Sequence, residues 1–197
     1  MVANRNIPVS APNNQRPIRV RRGLVGVGIT ASSAALLFSL VPKEESGRTV
    51  SATVQDGGVV VEHVAGPEHR TAYRDIVGVL TICDGDTSDV RAGQVATREE
   101  CTDRLERQLM AHTAPVIRCV PELRNIQHES QLVASVSLAY NIGTAGFCRS
   151  TVARRFNAGQ WRLGCDAFLM WNRAGGREIR GLTLRRQRER AICLRGL

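Results

Sequence analysis

The chain has 197 residues, of which 43% are apolar. This length and composition predict one folded domain with a sizeable core, with or without an appendage, and exclude a wholly disordered protein. The 27 basic and 18 acidic residues give a formal net charge of +9, which favours an acidic ligand or surface as partner. Aromatic residues make up only 4%, which argues against a carbohydrate or nucleic-acid surface lined with rings.

The N-terminal region has the charge pattern of a membrane anchor. Residues 1–22 form a basic tail without an acidic residue, and residues 23–41 carry no charge. As a helix, the uncharged segment would extend about 28 Å, close to the roughly 30 Å hydrocarbon core of a bilayer. Glu44 and Glu45 follow it, so the basic residues on the other side predict an N-terminus in the cytoplasm and the rest of the chain outside.

Glycine, alanine and serine make this predicted span only weakly apolar. They occupy positions 23, 26, 28 and 31–35 and contribute little transfer free energy, so a bilayer holds the helix marginally. We therefore predict a segment that first sits in the inner membrane, with the domain facing the periplasm, and is later released. A cleaved signal peptide, a permanent anchor and a buried helix are the alternatives. Residues 42–58 are predicted to be a polar linker, and residues 59–197 the folded domain.

Six cysteines lie at positions 83, 101, 119, 148, 165 and 193, and they form no CxxC pair. Since the four histidines have no zinc spacing, this pattern does not predict a metal site. An even, scattered set favours three disulfides in an oxidising compartment. Six reduced core cysteines are the alternative, and three bridges allow fifteen pairings in principle.

The candidate chemistry lies between residues 60 and 90. The stretch from Tyr73 to Thr87 predicts a short β-hairpin, because the β-formers at positions 79–82 are bounded by glycines. Asp75, just before the first strand, and Thr81, within the second, are placed to face one cleft and hold a water molecule there. The plainer interpretation is that Asp75 caps a turn and Thr81 is an ordinary strand residue.

The string from Tyr73 to Thr87, YRDxxGxxTxCxGxT, resembles the active-site hairpin of the phage-type lysozymes, glycoside hydrolase family 24. The resemblance continues in AYNIG at residues 139–143, similar to the YNxG of the family's buried helix, and in the C-terminal signature at residues 175–194. It covers about residues 60–197. The most similar subgroup is the signal-anchor-release endolysins of lambdoid phages, which also carry a weak N-terminal span rich in glycine, alanine and serine.

The resemblance implies an α+β, lysozyme-like fold, mainly helical with a small antiparallel sheet, preceded by an N-terminal weakly hydrophobic helix. It implies an endolysin that hydrolyses the β-1,4 bond between N-acetylmuramic acid and N-acetylglucosamine of peptidoglycan for host lysis. Such a protein acts as a monomer, without a cofactor or nucleic acid. Asp75 and Thr81 match the family's catalytic aspartate and threonine, and Asp86 stands where a histidine is common.

The family's general acid is a glutamate that ends the helix before the hairpin and precedes a glycine. Counting back from Tyr73 places Ala65 and Gly66 at these positions. Glycoside hydrolysis normally needs a carboxylic acid to protonate the leaving oxygen, and such help is worth roughly a hundred- to ten-thousand-fold. We therefore predict a lysozyme that is nearly inactive with alanine at this position, unless Glu62 or Glu68 acts as the general acid instead. A non-catalytic homologue that binds the cell wall is the alternative.

Local patterns predict the scaffold. Thr97-x-x-Glu100 is a capping box that opens a helix through about residue 112. Residues 131–140 are apolar nearly all round, as expected of a central buried helix. Three more helices are predicted, at 151–158 between a Ser150 cap and a Gly159 stop, at 161–171 with Leu169 inward, and at 182–194. Spacing and helix placement favour Cys83–Cys101 and Cys165–Cys193, which leaves Cys119–Cys148.

Overall fold

The computed structural model describes residues 16–20, 23–26, 28–75 and 78–197. Its helices are α1 (Gly23–Gly26), α2 (Ala31–Glu45), α3 (Arg98–Cys119), α4 (Glu129–Ile142), α5 (Thr144–Cys148), α6 (Thr151–Asn157), α7 (Trp161–Asp166) and α8 (Arg180–Cys193). Its strands are β1 (Ile18–Arg19), β2 (Thr49–Gln55), β3 (Gly58–Ala65), β4 (Tyr73–Arg74), β5 (Leu80–Thr81), β6 (Arg173–Ala174) and β7 (Arg177–Glu178). Most of the predicted basic tail lies outside the described residues.

Helix α4 forms the centre of the domain, as its apolar sequence predicts. Every residue from Gln131 to Ala139 is buried, and the helix packs against α2, α3 and α8. A helix covered on several sides has no solvent face, which explains why its sequence lacks amphipathic spacing. The same core continues into the C-terminal helices through Phe147, Phe156 and Phe168.

The apolar N-terminal segment is packed inside the domain as two helices rather than one. Helix α1 ends at Gly26, and α2 begins after Thr30, whose side chain caps it by accepting a hydrogen bond from the backbone N–H of Ser33. Helix α2 then continues to Glu45, into the predicted linker. Its buried side chains include Leu37, Phe38 and Val41. Among the described residues, no helix combines the length and the apolar character needed to cross a membrane.

A β-hairpin formed by β2 and β3 stands where the sequence predicts a linker followed by the start of the domain. The strands pair antiparallel from Thr49 opposite Ala65 to Gln55 opposite Gly58, and β1 pairs with the other edge of β3. The two-residue turn is Asp56-Gly57, with φ of 50° and 69°. Both residues are in the left-handed region that a tight hairpin turn requires, and Asp-Gly is a preferred pair there.

Strand β3 rules out a helix at residues 59–65. Val59 and Val61 are buried while Glu62 is exposed, which is the alternation of a strand that covers a core with one face. Branched valines at three successive positions favour this extended conformation. A helix that ends at Ala65 is therefore absent from the described residues.

The predicted β-hairpin and capped helix are both confirmed. Strands β4 and β5 pair antiparallel, with Tyr73 opposite Thr81. The side chain of Thr97 accepts a hydrogen bond from the backbone N–H of Glu100, whose carboxylate accepts one from the backbone N–H of Thr97. Helix α3 runs beyond residue 112 to Cys119, because Val116 and Ile117 continue its buried stripe.

The three predicted disulfides are also confirmed. They join Cys83 to Cys101, Cys119 to Cys148 and Cys165 to Cys193. Ser150 caps α6 as predicted, since its hydroxyl accepts a hydrogen bond from the backbone N–H of Ala153. The inward position predicted for Leu169 is wrong, because this side chain is 40% exposed. The segment after Asp166 tightens into a 3-10 helix, which changes the face that each residue presents.

Candidate active site

The β4–β5 hairpin fixes the relative positions of Asp75 and Thr81, the two residues predicted to bind a water molecule. The backbone N–H of Asp75 donates to the carbonyl of Val79 at 2.9 Å, and the N–H of Val79 donates to Oδ1 of Asp75 at 2.8 Å. The hydroxyl of Thr81, which is 4% exposed, donates to the same Val79 carbonyl at 3.1 Å. Because its proton is used there, Thr81 offers a water molecule its lone pairs.

Ala65 does not lie at the end of a helix, where its spacing from Tyr73 predicts it. It is the exposed last residue of β3, paired with Thr49 at the open end of the β2–β3 hairpin. A Cβ at Gly66 would lie 2.5 Å from the carbonyl oxygen of Gly47, and Gly66 has a φ of +87°. The chain therefore returns at Gly66 to the point where it left α2, and residues 48–65 form an insertion between the two.

Glu45 ends the helix to which this insertion is attached. Its Oε1 lies 2.7 Å from Nη2 of Arg185, and its side chain is one-fifth exposed. A Cβ at Gly85 would lie 3.8 Å from Cβ and 4.0 Å from Oε2 of Glu45, so this carboxylate is packed against the turn that follows β5. A glutamate at a helix end beside this hairpin is the arrangement that the spacing from Tyr73 assigns to Ala65.

Arg185 connects Glu45 to a buried polar cluster on α8. Its Nε lies 3.2 Å from Oε1 of Glu189, and its Nη2 donates to the carbonyl of Ser137 at 3.1 Å. Burial works against the charge of Arg185, but the Glu45 and Glu189 carboxylates outweigh it and raise the pKa of this guanidinium. Arg185 therefore stays charged beside Glu45, and it orients that carboxylate from the side of the core.

Glu62 and Glu68, the substitutes considered for the missing acid, are both unsuited to the role. Glu62 is an exposed residue of β3, opposite Ser51. Glu68 accepts hydrogen bonds from Nε and Nη2 of Arg98, both at 2.6 Å. The Arg98 hydrogen bond, only partly offset by burial, holds the pKa of Glu68 below its ordinary value, and it ties this carboxylate to the first residue of α3.

Two further carboxylates, Asp84 and Asp86, are buried in the turn after β5. Asp86 accepts hydrogen bonds from the Arg104 and Gln108 side chains at 2.6 and 2.8 Å. Burial raises the pKa of Asp86, but the backbone N–H of Ser88 and these two side chains outweigh it and lower the pKa below its usual range. Asp84 contacts the residues that follow Glu45 instead. The turn thus joins α3 through one carboxylate and α2 through the other.

The model of the phage lysozyme family matches residues 66–189. The chain belongs to the phage lysozyme family. A SAR-endolysin of Enterobacteria phage P21 is 35% identical over 161 residues, which span 76% of this chain and 95% of that protein. The family match begins at Gly66, directly after the inserted hairpin, so it leaves Glu45 outside.

Solved structures of phage lysozymes have the same fold. A mutant of P22 lysozyme is 30% identical and superposes with a TM-score of 0.59 over 84% of this chain and 97% of its own. An endolysin from Escherichia coli O157:H7 phage FAHEc1 gives a TM-score of 0.61 over 82% of this chain and 92% of its own. At 24% identity, the latter is similar in fold alone.

Counting along the sequence misses Glu45 because an insertion separates the helix end from the glycine. A weaker sequence signal for Glu45 is nonetheless present, since this glutamate and Gly47 follow shortly after an apolar segment of helical length. In the sequence, Glu44 and Glu45 indicate only the orientation of the predicted membrane span. Arg185 and Asp84 have no such sequence pattern, and their roles emerge from contacts alone.

Proposed function

We propose that this phage lysozyme cleaves the β-1,4 bond between N-acetylmuramic acid and N-acetylglucosamine in peptidoglycan, with Glu45 as the general acid. The observation that carries the proposal is the position of Glu45 at the end of α2, with its carboxylate between Arg185 and the turn at Gly85. Membership of the phage lysozyme family supplies the reaction and the substrate, peptidoglycan, during host lysis.

In the proposed reaction, protonated Glu45 donates its proton to the glycosidic oxygen as the bond to the sugar carbon breaks. A water molecule held by Asp75 and Thr81 adds to that carbon and gives its own proton to the Asp75 carboxylate. Proton exchange with solvent then returns both carboxyl groups to their starting states. The two roles require two carboxyl groups on opposite sides of the scissile bond, which is the general plan of glycosidases.

Glu45→Gln tests the assignment, because glutamine keeps the size of the side chain and cannot protonate the leaving oxygen. We expect hydrolysis to fall by roughly a hundred- to ten-thousand-fold. The measurement is the release of reducing sugar ends from purified peptidoglycan. Glu44→Gln is the matched control, since the Glu44 carboxylate accepts two hydrogen bonds from Arg188 at 2.7 Å instead. This control should stay close to the unmodified chain.

The same assay tests the impaired activity predicted from Ala65. Ala65→Glu should change little if Glu45 supplies the proton. The opposite result is a nearly inactive unmodified chain whose hydrolysis rises by orders of magnitude in Ala65→Glu and does not change in Glu45→Gln. That result would favour position 65 as the place of the general acid. Undetectable hydrolysis in every variant, together with retained sedimentation on peptidoglycan, favours the alternative of a wall-binding homologue.

We also propose that the chain first sits in the host inner membrane through residues 23–41 and is then released to the periplasm, where it acts as a monomer. The weak apolar character of the segment supports this, as does the SAR-endolysin name of the P21 relative. Leu37 and Phe38, which would face lipid in the anchored state, are buried in the domain core. Glu45 therefore reaches Gly85 only after the segment has left the bilayer.

A further inference from the structure

The position of Glu45 relative to the β4–β5 hairpin is not fixed by the chain that connects them. The β2–β3 hairpin lies between, so the backbone leaves Glu45 in the direction of an inserted sheet. General acid catalysis requires the acid within hydrogen-bond reach of the leaving oxygen. Noncovalent contacts must therefore hold the end of α2 against the turn after β5.

Asp84 makes those contacts from the turn. This aspartate is 3% exposed, and Nε of Arg48 donates to its Oδ1 at 2.9 Å while Nη2 of Arg48 donates to its Oδ2. The hydroxyl of Ser46 donates to Oδ1 of Asp84 at 2.8 Å. One buried carboxylate thus binds two of the three residues that directly follow Glu45. A bidentate arginine contact is among the most directional of ion pairs.

The backbone of Asp84 is itself held by the helical part of the domain. The preceding residue, Cys83, is joined by a disulfide to Cys101 in α3. The hydroxyl of Tyr140 in α4 donates to the carbonyl of Asp84 at 3.3 Å. The turn is therefore a rigid reference to which the end of α2 is attached.

We propose that Asp84 is a positioning residue, which sets the place of the Glu45 carboxylate by binding Ser46 and Arg48. This rests on the proposed role of Glu45. Arg185 orients the carboxylate from the core side, while Asp84 fixes the backbone that carries it. Asp84 touches neither the sugar nor the water in this scheme, so its effect on the reaction passes entirely through Glu45.

Asp84→Asn tests the proposal, because asparagine keeps the volume but places no negative charge against Arg48. A displacement of about 1 Å in a catalytic group costs on the order of a hundredfold in rate. We expect kcat on soluble peptidoglycan fragments to fall by roughly ten- to a hundredfold with KM nearly unchanged, since positioning of the acid matters in the transition state. In a Glu45→Gln background, Asp84→Asn should cause no further loss.

Asp86→Asn is the matched control, because Asp86 is a buried carboxylate of the same turn, is paired with an arginine and has no hydrogen bond to Ser46 or Arg48 among the described residues. It should keep kcat near that of the unmodified chain, with thermal melts confirming that each variant is folded. An equal loss of kcat in Asp86→Asn overturns the proposal, since the loss would then be general to the turn. A further loss on adding Asp84→Asn to Glu45→Gln also overturns it.

Ser46→Ala decides the question if Asp84→Asn does not fold. It removes the hydroxyl that contacts Asp84, which also lies 2.9 Å from the carbonyl of Pro42 and 3.4 Å from the backbone N–H of Arg48, and it leaves the Asp84–Arg48 pair in place. A several-fold lower kcat at constant KM supports the proposal, and an unchanged kcat refutes it. Failure of the proposed function is distinguishable from failure of this inference. In the first case Glu45→Gln keeps full activity, whereas in the second Glu45→Gln is inactive and both Asp84→Asn and Ser46→Ala keep full kcat.

Discussion

Replacing Phe38 with alanine tests whether the apolar N-terminal segment belongs to the folded domain. Phe38 is fully buried, and α2 packs against α4 on one side and β2 on another. Since both neighbours are fixed by their own packing, the space left by the ring cannot close completely. We expect a loss of about 3–5 kcal/mol in the free energy of unfolding, from lost transfer energy and the residual cavity.

Leu36→Ala is the control on the same helix, since Leu36 is 40% exposed and its truncation creates no enclosed cavity. It should cost less than about 1 kcal/mol. The assay is urea unfolding of the purified oxidised chain, followed by circular dichroism, with the midpoint and slope fitted separately. A difference of about 3 kcal/mol between the variants corresponds to a more than hundredfold change in the unfolding equilibrium. Equal midpoints for the two variants would refute the assignment of α2 to the core.

Two further predictions concern the membrane and pH. Gly26→Leu combined with Ser32→Leu should keep the chain in the membrane fraction after the membrane potential collapses. Both residues are exposed in the folded domain, so the changes make the predicted membrane span more apolar without disturbing the core. Release at the original rate would contradict the prediction of a weak anchor. Glu68 has a pKa held below its ordinary 4.5 by Arg98, so its contribution to stability is complete above that value and is lost as pH falls through the lower folded pKa. Unfolding titrations should therefore show a shallower acid-side loss of stability in Glu68→Gln, and identical pH profiles would contradict the Arg98 interaction.

Local chemistry made much of the fold predictable. The capping box at Thr97 and Glu100 depends on residues three apart, and the β4–β5 hairpin depends on adjacent β-formers and glycines. Helix α4 could be identified because a run with no polar face has to be covered on all sides. Two disulfides followed once these elements were placed, because Cys83–Cys101 and Cys165–Cys193 each join two predicted elements, and Cys119–Cys148 was the pair that remained.

The sequence prediction missed the β2–β3 hairpin. Its outer strand is largely exposed and polar, so its composition is that of a linker, and pairing with β3 is what orders it. The turn nonetheless carries a local signal, because Asp56-Gly57 between two segments that contain several β-branched residues is typical of a tight hairpin. The exposed position of Leu169 likewise depends on a local change of helix type after Asp166.

The sequence by itself determined the family, the hairpin with Asp75 and Thr81 and the central helix, and it favoured the disulfide pairing that the structure has. The tertiary structure supplies the geometric argument for proposing Glu45 as the acid, because the two ends of an inserted hairpin meet at Thr49 and Ala65 and make distance along the chain irrelevant to distance in space. It also decided what covers the apolar residues of α2. Lipid and a protein core are both apolar surroundings, so hydropathy alone cannot distinguish them, whereas the packing of α2 against α4 can.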